Sequence, residues 1–310
     1  MENSQTSDYA KSDYAKSDYA KYVYELELLN SPLFHITSKK RLAILLCSSI
    51  KELNHIVRSK NQMYQYFNEN KTDDSGNIIK VRPIQNPHDR LKLIHSRIGK
   101  FLGNLKAPDY LHSKRSKSAI SNAKAHVGIK GHTLNIDITD FYPSTSKAKV
   151  QAFFGYTLQY PTDIAKYISE ICTVNNCLPT GSPLSSALAF WANKSMFDEI
   201  YKVAKSRSIT MTVYVDDISF TGKAVNQNFL NKIIQIIGKY QHKIKQEKIK
   251  FFPENSIKFV TGVAIVNGSL QPAHRHFRDI RLLQKIDNNI QATLRLIGKN
   301  NYIKQIISHV

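Results

Sequence analysis

Residues 209–222 read Ile-Thr-Met-Thr-Val-Tyr-Val-Asp-Asp-Ile-Ser-Phe-Thr-Gly. Apolar and polar residues alternate on both sides of Asp216 and Asp217, which predicts a β-hairpin with two carboxylates at its tip. Asp is also a common turn residue, so the hairpin alone does not identify a chemistry. Whether the hairpin indicates a metal site depends on a second strand that carries a carboxylate.

This second strand pattern covers residues 133–140, Thr-Leu-Asn-Ile-Asp-Ile-Thr-Asp. Its apolar residues alternate with polar ones, so Asp137 projects from the face opposite the apolar one. If the strand lies beside the hairpin, Asp137, Asp216 and Asp217 form a cluster that repels itself unless a cation is bound. Oxygen ligands suit Mg²⁺, and two such ions can catalyse phosphoryl transfer. We therefore predict a site for two Mg²⁺ ions.

The charge of the chain is strongly positive. Its 310 residues include 44 Lys and Arg against 24 Asp and Glu, a formal net charge of +20. Residues 80–132 have a net charge of +10 and residues 239–310 have +9, so the rest is nearly neutral. Such a charge argues against proteins that act on neutral small molecules and favours a polyanion partner, either nucleic acid or an anionic membrane. Two basic segments around a neutral centre predict a groove with basic walls.

The sequence shows no sign of export or membrane insertion. No apolar run approaches the ~20 residues that span a bilayer, and the N-terminus lacks the basic start and apolar core of a signal peptide. Cys47, Cys172 and Cys177 fit neither a disulfide framework nor a zinc site. We therefore expect a cytoplasmic protein with no membrane partner.

The pattern of elements predicts an α+β protein. Ser-Asp-Tyr-Ala-Lys occurs three times in residues 7–21, which we interpret as part of a solvated N-terminal extension. Residues 22–67 read as helical, residues 68–77 as a polar turn and residues 78–82 as a strand, which indicates a finger-like hairpin. Further helices are predicted at residues 91–105, 147–154, 163–172 and 184–205, and strands at residues 131–139 and 209–221.

Four segments resemble motifs of reverse transcriptases. Tyr214–Asp217 resembles the Tyr-X-Asp-Asp box, and Asn135–Ser144 resembles the first catalytic motif of the retron subgroup. Leu178–Ser186 is similar to the Leu-Pro-Gln-Gly-X-Pro-X-Ser motif, and Arg82–Pro87 is similar to the fingers motif Arg-X-Ile-X-X-Pro. The motifs follow one another in the order typical of the family, which makes a chance match very improbable.

Two further segments point to retrons within that family. Asn122–His126 is similar to the Asn-Ala-X-X-His signature, and Val260–Gly262 is similar to the Val-Thr-Gly element. The resemblance implies a right-hand polymerase fold with fingers, palm and thumb and a helical N-terminal extension. Its divisions would be a repeat-bearing extension at 1–21, a helical N-terminal region and fingers at 22–132, a palm with finger-derived insertions at 133–265, and a thumb or RNA-binding region at 266–310.

The resemblance implies a catalytic centre built on the carboxylates. Asp137 and Asp216 would bind the two Mg²⁺ ions with the Ile138 carbonyl, and Asp217 would be the supporting carboxylate. Lys248 is similar in position to a lysine behind the hairpin that would assist the leaving group.

Nucleotide binding is implied at four further residues. Arg82 would touch the incoming triphosphate, and Tyr142 would lie under the sugar and exclude a 2′-hydroxyl. Thr180 and Gly181 would line the nucleotide. The sequence differs from these family motifs at two positions: Thr180 stands where the family has Gln, and Val215 stands where Ala is common. Neither difference removes a metal ligand.

RNA binding is implied for basic residues and for the two retron-like motifs. Each basic residue taken alone is better explained as a solvated surface group, and a structural hydrogen bond is the alternative for Asn122 and His126. The residues concerned are Lys114, Arg115, Lys117, Asn122, His126, Arg275, Arg278, Arg281 and Lys285.

These features predict an RNA-directed DNA polymerase, a nucleotidyltransferase that uses dNTPs. The resemblance implies that it copies a cognate retron non-coding RNA from an internal 2′-hydroxyl into branched, RNA-linked multicopy single-stranded DNA. It also implies a role in anti-phage defence with a separately encoded effector protein. Two alternatives stay open: another prokaryotic defence or group II-like reverse transcriptase, and an RNA–protein scaffold that restrains a separate toxin.

Overall fold

The computed structural model describes residues 28–72, 78–285 and 290–308. The predicted extension with its Ser-Asp-Tyr-Ala-Lys repeat and residues 73–77 of the predicted turn lie outside the described residues. The described chain forms two compact units. The first contains the residues up to Ala107 and Tyr142–Asn193, and the second contains Pro108–Phe141 and the residues from Lys194 onward.

Helices and strands are mixed along the chain, which confirms the predicted α+β class. The helices described are α1 (Lys39–Leu45), α2 (Ile50–Ser59), α3 (Asp89–Gly103), α4 (Ala119–Lys124), α5 (Phe141–Ser144), α6 (Lys147–Ala152), α7 (Thr162–Cys172), α8 (Ser185–Ala192), α9 (Lys194–Lys205), α10 (Gln227–Lys239), α11 (His274–Gln284) and α12 (Ile290–Ile307). The strands described are β1 (Tyr64–Thr72), β2 (Ile78–Pro87), β3 (His132–Asp137), β4 (Thr210–Tyr214), β5 (Asp217–Gly222), β6 (Lys250–Phe252), β7 (Lys258–Val260), β8 (Val263–Val266) and β9 (Ser269–Pro272). Single turns of 3₁₀ helix cover Lys60–Met63 and Gln246–Lys248, and a π-helical turn covers Phe153–Thr157.

Serine side chains begin the first helices of the first unit. The Ser38 hydroxyl accepts a hydrogen bond from the Arg41 amide at 3.2 Å, and the Ser49 hydroxyl accepts one from the Glu52 amide at 3.1 Å. Each bond satisfies an amide that has no partner within its own helix. The predicted helix at residues 91–105 is present as α3, which buries the apolar face formed by Leu91, Ile94, Ile98 and Leu102.

The predicted finger-like hairpin is present, but its first strand occupies residues that were expected to be helix and turn. β1 pairs with β2 in antiparallel register from Tyr64 with Pro87 to Thr72 with Ile78. The expectation of helix through residue 67 is therefore wrong, as is that of a turn at residues 68–72. Aromatic residues such as Tyr66 and Phe67 favour strands, and the ladder with β2 outweighs the weak helical pattern.

A four-stranded sheet forms the centre of the second unit. Its strand order is β4-β5-β3-β6, and every pair is antiparallel. Ile136 of β3 and Ile218 of β5 are opposite each other and at most 1% exposed. This register places the end of β3 beside the turn between β4 and β5, as the sequence predicted for the two carboxylate-bearing segments.

A smaller sheet in the same unit has the order β7-β8-β9. It packs in an apolar cluster with α4 and α12, formed by Ile120, Ala123, Val260, Val263, Ile265, Leu270 and Ile306. All eleven residues of α11 are at least partly exposed. Among the helices in the described ranges, none is both long and apolar enough to cross a membrane.

Candidate active site

Three carboxylates converge at the end of β3. Asp137 and Asp217 are directly paired across β3 and β5, and Asp216 lies in the turn before Asp217. One carboxylate oxygen from each of the three lies within 4.8 Å of the others. The backbone fixes this arrangement, because the Ile138 amide donates a hydrogen bond to the Asp216 carbonyl at 3.0 Å. The spatial cluster that the sequence predicted is therefore present.

The turn that carries Asp216 has an unusual backbone. β4 ends at Tyr214 and β5 begins at Asp217, so Val215 and Asp216 form a two-residue loop. Val215 has a φ of +59°, a left-handed conformation that is unfavourable for a β-branched residue. Glycine is the usual residue at such a position in hairpins. The turn thus holds the carboxylates in place at a cost in backbone strain.

The carboxylate cluster has a marked effect on Asp217. The pKa of the Asp217 carboxyl is raised to about 7, first by burial and then by the negative charges of Asp216 and Asp137, which outweigh the opposing effect of Lys248. The negative charges are therefore not fully compensated by the side chains around them. Clustered carboxylate oxygens with this electrostatic demand fit a hard divalent cation such as Mg²⁺.

Lys248 contacts the cluster directly. Its ammonium donates a hydrogen bond to Oδ2 of Asp137, whose side chain is only 8% exposed. Burial lowers the pKa of Lys248, but the hydrogen bond and attraction to Asp137, with smaller contributions from Asp217 and Asp216, outweigh it, so the pKa is raised. Backbone contacts hold the lysine segment close, since the Lys245 amide donates to the Asp137 carbonyl at 2.9 Å.

The residues with implied nucleotide contacts divide between the two units. Arg82, Tyr142, Thr180 and Gly181 belong to the first unit, whereas the carboxylates and Lys248 belong to the second. Arg82 lies on β2 and is exposed. Tyr142 lies in α5, where its carbonyl accepts a hydrogen bond from the Thr145 amide at 3.1 Å.

The first unit brings Thr180 and Gly181 against β2. The Thr180 hydroxyl donates to the Pro83 carbonyl at 2.8 Å, and the Thr180 amide donates to Oε1 of Gln85 at 3.0 Å. The Gly181 amide donates to the Gln85 carbonyl at 3.1 Å. A Cβ on Gly181 would lie 2.8 Å from Cγ2 of Ile84, so the close approach requires glycine.

Gln85 is a residue that the sequence interpretation did not single out. Its side chain and backbone supply the partners of Thr180 and Gly181. One feature of the sequence pointed to Gln85. It places an amide side chain in the fingers motif of a chain in which Thr180 stands where the family has Gln. No local pattern in the sequence, however, showed that these two segments meet.

The two retron-like motifs contact each other inside the second unit. Nδ2 of Asn122 donates to the Thr261 hydroxyl at 3.3 Å, and that hydroxyl donates to the Ala119 carbonyl at 2.9 Å. The ring of His126 lies 2.8 Å from the hydroxyls of both Thr212 and Thr221.

Burial corrects the expectation that Asn122 and His126 bind RNA. Their side chains are 0% and 1% exposed, so neither can reach a strand on the surface of the unit. Both form hydrogen bonds that join α4 and its C-terminal turn to the sheets. The structural alternative that the sequence left open is therefore the better account of these residues.

The basic segment after β2 and α3 has a mixed exposure. Arg115 is exposed, whereas Lys114 and Lys117 are partly exposed. The ammonium of Lys117 donates to the Asp109 carbonyl. This segment can present positive charge to a phosphate backbone without any base-specific contact.

The C-terminal basic residues are all exposed. Arg275, Arg278 and Arg281 lie on α11, and Lys285 is its C-cap. The guanidinium of Arg275 rests on Gly262, because a Cβ there would lie only 1.8 Å from Nη2 of Arg275. Gly262 also has a φ of +82°, and it is this backbone conformation that requires glycine, because the flexible Arg275 side chain could move aside.

Comparisons with known proteins agree with this geometry. A family model described as reverse transcriptase (RNA-dependent DNA polymerase) matches residues 35–265. Retron Se72 reverse transcriptase of Salmonella heidelberg is 29% identical over 268 residues, which cover 82% of this chain and 69% of that protein. Retron Ec86 reverse transcriptase of Escherichia coli is 27% identical over 243 residues, which cover 75% of this chain and 72% of that protein. Retron Ec48 reverse transcriptase of Escherichia coli is 25% identical over 234 residues, covering 70% and 56% respectively.

Proposed function

The chain belongs to the reverse transcriptase family and is an RNA-directed DNA polymerase, and on this premise we propose that it is the polymerase of a retron. The similarity to several retron reverse transcriptases over most of the chain supports this proposal. The structural observation that carries the proposed polymerase chemistry is the cluster of Asp137, Asp216 and Asp217 at a strand end and hairpin turn.

The proposed reaction copies part of a cognate structured non-coding RNA. The oxygen of an internal RNA 2′-hydroxyl loses its proton to solvent and forms a bond to the α-phosphorus of the first dNTP. The bond between that phosphorus and the oxygen bridging it to the β-phosphorus breaks, and that oxygen leaves with the pyrophosphate. Later additions use the 3′-hydroxyl of the growing strand. The product is a branched, RNA-linked multicopy single-stranded DNA.

The carboxylates have distinct proposed roles. Asp137 and Asp216, with the Ile138 carbonyl, hold two Mg²⁺ ions, and Asp217 supports them. When bound, such ions lower the pKa of the attacking hydroxyl and neutralise the charge of the leaving pyrophosphate. Lys248 compensates the charge of Asp137 before substrate arrives and lies close enough to the cluster to assist the leaving group.

The nucleotide contacts come from the first unit. Arg82 binds the triphosphate, because a guanidinium pairs with phosphate oxygens in a bidentate manner. Tyr142 lies under the sugar and excludes a 2′-hydroxyl. Thr180 and Gly181 line the base and template side, and their hydrogen bonds to β2 keep this segment in register with Arg82.

The RNA partner is bound by positive charge on the surface. Lys114, Arg115 and Lys117 contact phosphates near the fingers, and the basic residues on and after α11 contact the structured RNA. The enzyme acts in anti-phage defence together with a separately encoded effector protein. The role in defence and the effector are what the resemblance to retrons implies.

The proposal is tested with the double variant Asp216→Asn, Asp217→Asn and the RNA encoded beside the gene. We expect the wild-type protein to produce DNA joined to RNA through a 2′–5′ linkage, detected by its sensitivity to a debranching enzyme, and the variant to produce none. The matched control is Asp163→Asn, an exposed aspartate at the start of α7. Unbranched DNA from the wild-type protein would contradict the retron assignment. Full defence by the double variant in cells would instead favour an RNA–protein scaffold that restrains a toxin.

A further inference from the structure

A cavity lies on the second unit, and Lys117 is the one lining residue that has a role in the function proposed above. Its volume is about 530 Å³, within the ~300–1,000 Å³ typical of small-molecule sites. One side is formed by the segment from Asp109 to His112, and another by Thr210 and its neighbours on β4. Tyr201 and Lys205 of α9 complete the wall.

The cavity has a fixed cation at its inner side. Lys117 donates a hydrogen bond to the Asp109 carbonyl, and its Nζ lies 3.5 Å from Nε2 of His112. Burial and the nearby lysines lower the pKa of His112 to about 4, so this ring is neutral near pH 7 and accepts from the ammonium. An ammonium has three N–H donors. Lys117 therefore has a donor left for a ligand after these two contacts.

The rim of the cavity adds further charge. Lys205 and Ser208 are exposed at its mouth, and the basic residues Lys114 and Arg115 precede Lys117 in the chain. Cations at both the inner side and the mouth favour an anionic ligand, and a phosphate group matches ammonium donors. The exposed Asp109 at the rim offers a carboxylate that can accept hydrogen bonds from the amino groups of a base.

The cavity also has an aromatic surface. The rings of Tyr110 and Tyr201 have centroids 5.0 Å apart and an angle of 38° between their planes. Tyr110 is buried and held in place, because its hydroxyl donates to Oδ1 of Asp198 at 2.6 Å. Tyr201 is only partly buried. Its ring can therefore stack on a planar ligand while it keeps its contact with Tyr110.

We propose that this cavity binds one nucleotide of the cognate RNA, with its base against Tyr201 and its phosphate beside Lys117 and Lys205. The open mouth and the adjacent basic segment favour a nucleotide within a strand over a free mononucleotide, because the strand can continue along Lys114 and Arg115. Aromatic side chains that stack on single bases and cations that follow the backbone are the usual means of binding unpaired RNA. This inference rests on the proposed function, since it requires an RNA partner.

The first test measures affinity for the RNA encoded beside the gene as a function of salt concentration. Tyr201→Ala is expected to weaken binding by roughly 10-fold or more, and Tyr201→Phe to retain it, because stacking needs only the ring. Lys205→Ala is expected to reduce the slope of log affinity against log salt by about 0.7–0.9. The control Lys202→Ala removes an exposed lysine from the same helix that does not line the cavity, and should keep the wild-type slope.

A second measurement separates the two sources of a nucleotide. Acetylation of Lys117 and Lys205 is followed by mass spectrometry with RNA, with the four mononucleotides at millimolar concentration, and with neither. Protection by RNA but not by mononucleotides supports the proposal, whereas protection by mononucleotides alone overturns it. The proposal would also be overturned if Tyr201→Ala and Lys205→Ala both bound the RNA with the wild-type affinity and the wild-type salt dependence. If the wild-type protein fails to bind this RNA at all, the proposed function itself fails, which is a distinct result.

Discussion

Asp137 and Asp217 are paired directly opposite each other on the antiparallel strands β3 and β5. Side chains in such pairs lie about 4.5–5.5 Å apart at Cβ, and like charges there are destabilising. The sheet register therefore forces two carboxylates together, and the turn adds Asp216 to them. A site of this kind costs stability in the protein without metal and gains it when a cation binds.

Asp217→Asn should stabilise the protein in the absence of metal and abolish DNA synthesis. The substitution removes one of three repelling charges, and we expect the free energy of unfolding in EDTA to rise by ~1–3 kcal/mol. Adding Mg²⁺ should raise the free energy of unfolding of the wild-type protein more than that of the variant. Urea unfolding with and without Mg²⁺ measures both effects, with Asp163→Asn as control. An equal response to Mg²⁺ in both proteins would contradict a metal role for Asp217.

Local patterns in the sequence were sufficient to predict the two strand segments and the carboxylates they carry, but the pairing of β3 with β5, on which the cluster depends, joins segments that are distant in the chain. Strict alternation in residues 133–140 and around Asp216 fixes which side chains share a face, and the hairpin needs only a short turn. Burial of Asn122 and His126 could not be predicted in the same way, because their partners Thr212 and Thr261 are distant in the chain. A spacing of four residues shows a shared helix face, but not whether that face is covered.

The same limit explains the error at the hairpin. Tyr64–Thr72 is a strand because it pairs with β2 along its whole length, and that pairing depends on a second segment. No glycine or proline separates the helix α2 from Tyr64, so no residue in the sequence marked where the helix ends. The contact between Thr180 and Gln85 is likewise a tertiary feature that no local rule predicts.

Lys248→Met should destabilise the metal-free protein because it leaves the nearly buried Asp137 carboxylate without its ammonium partner. We expect a loss of ~1–3 kcal/mol in the free energy of unfolding in EDTA. Added Mg²⁺ should restore more stability to this variant than to the wild-type protein, since a cation then supplies the missing charge. The control is Lys245→Met, whose Nζ lies 3.5 Å from the exposed Glu247 and should contribute less than ~1 kcal/mol. If both variants lost the same free energy of unfolding, the contact between Lys248 and Asp137 would stabilise the protein no more than an exposed ion pair does.

Gly181→Ala should weaken both the fold and the binding of nucleotides. Its Cβ would lie 2.8 Å from Cγ2 of Ile84 and 3.0 Å from the Gln85 carbonyl, so the segment must move away from β2. Such overpacking costs ~1–3 kcal/mol, and we expect the KM for dNTPs to rise several-fold. The control Gly238→Ala adds a methyl group near the end of α10, where nothing lies within 4 Å, and should be neutral or slightly stabilising. An unchanged KM in Gly181→Ala would argue against a nucleotide role for this segment.

Buried neutral histidines should make the protein sensitive to acid. Burial lowers the pKa of His95 to about 4 and that of His126 to about 3, whereas both return to about 6.5 in the unfolded chain. As the pH falls below about 6.5, the unfolded chain takes up protons that the folded protein cannot. Each histidine therefore removes about 1.4 kcal/mol of stability per pH unit until its folded pKa is reached.

His126→Gln tests this directly, because glutamine can hydrogen-bond to Thr212 or Thr221 without taking up a proton. We expect the variant to be less stable than the wild-type protein at pH 7 but to lose less stability between pH 6 and pH 4, with a slope lower by about one proton. Urea unfolding at several pH values gives this slope. The control is His132→Gln, an exposed histidine at the start of β3, which should keep the wild-type slope. The same slope in His126→Gln and the wild-type protein would mean that protonation of His126 does not drive the acid sensitivity, and that its two threonine contacts tolerate the charged ring.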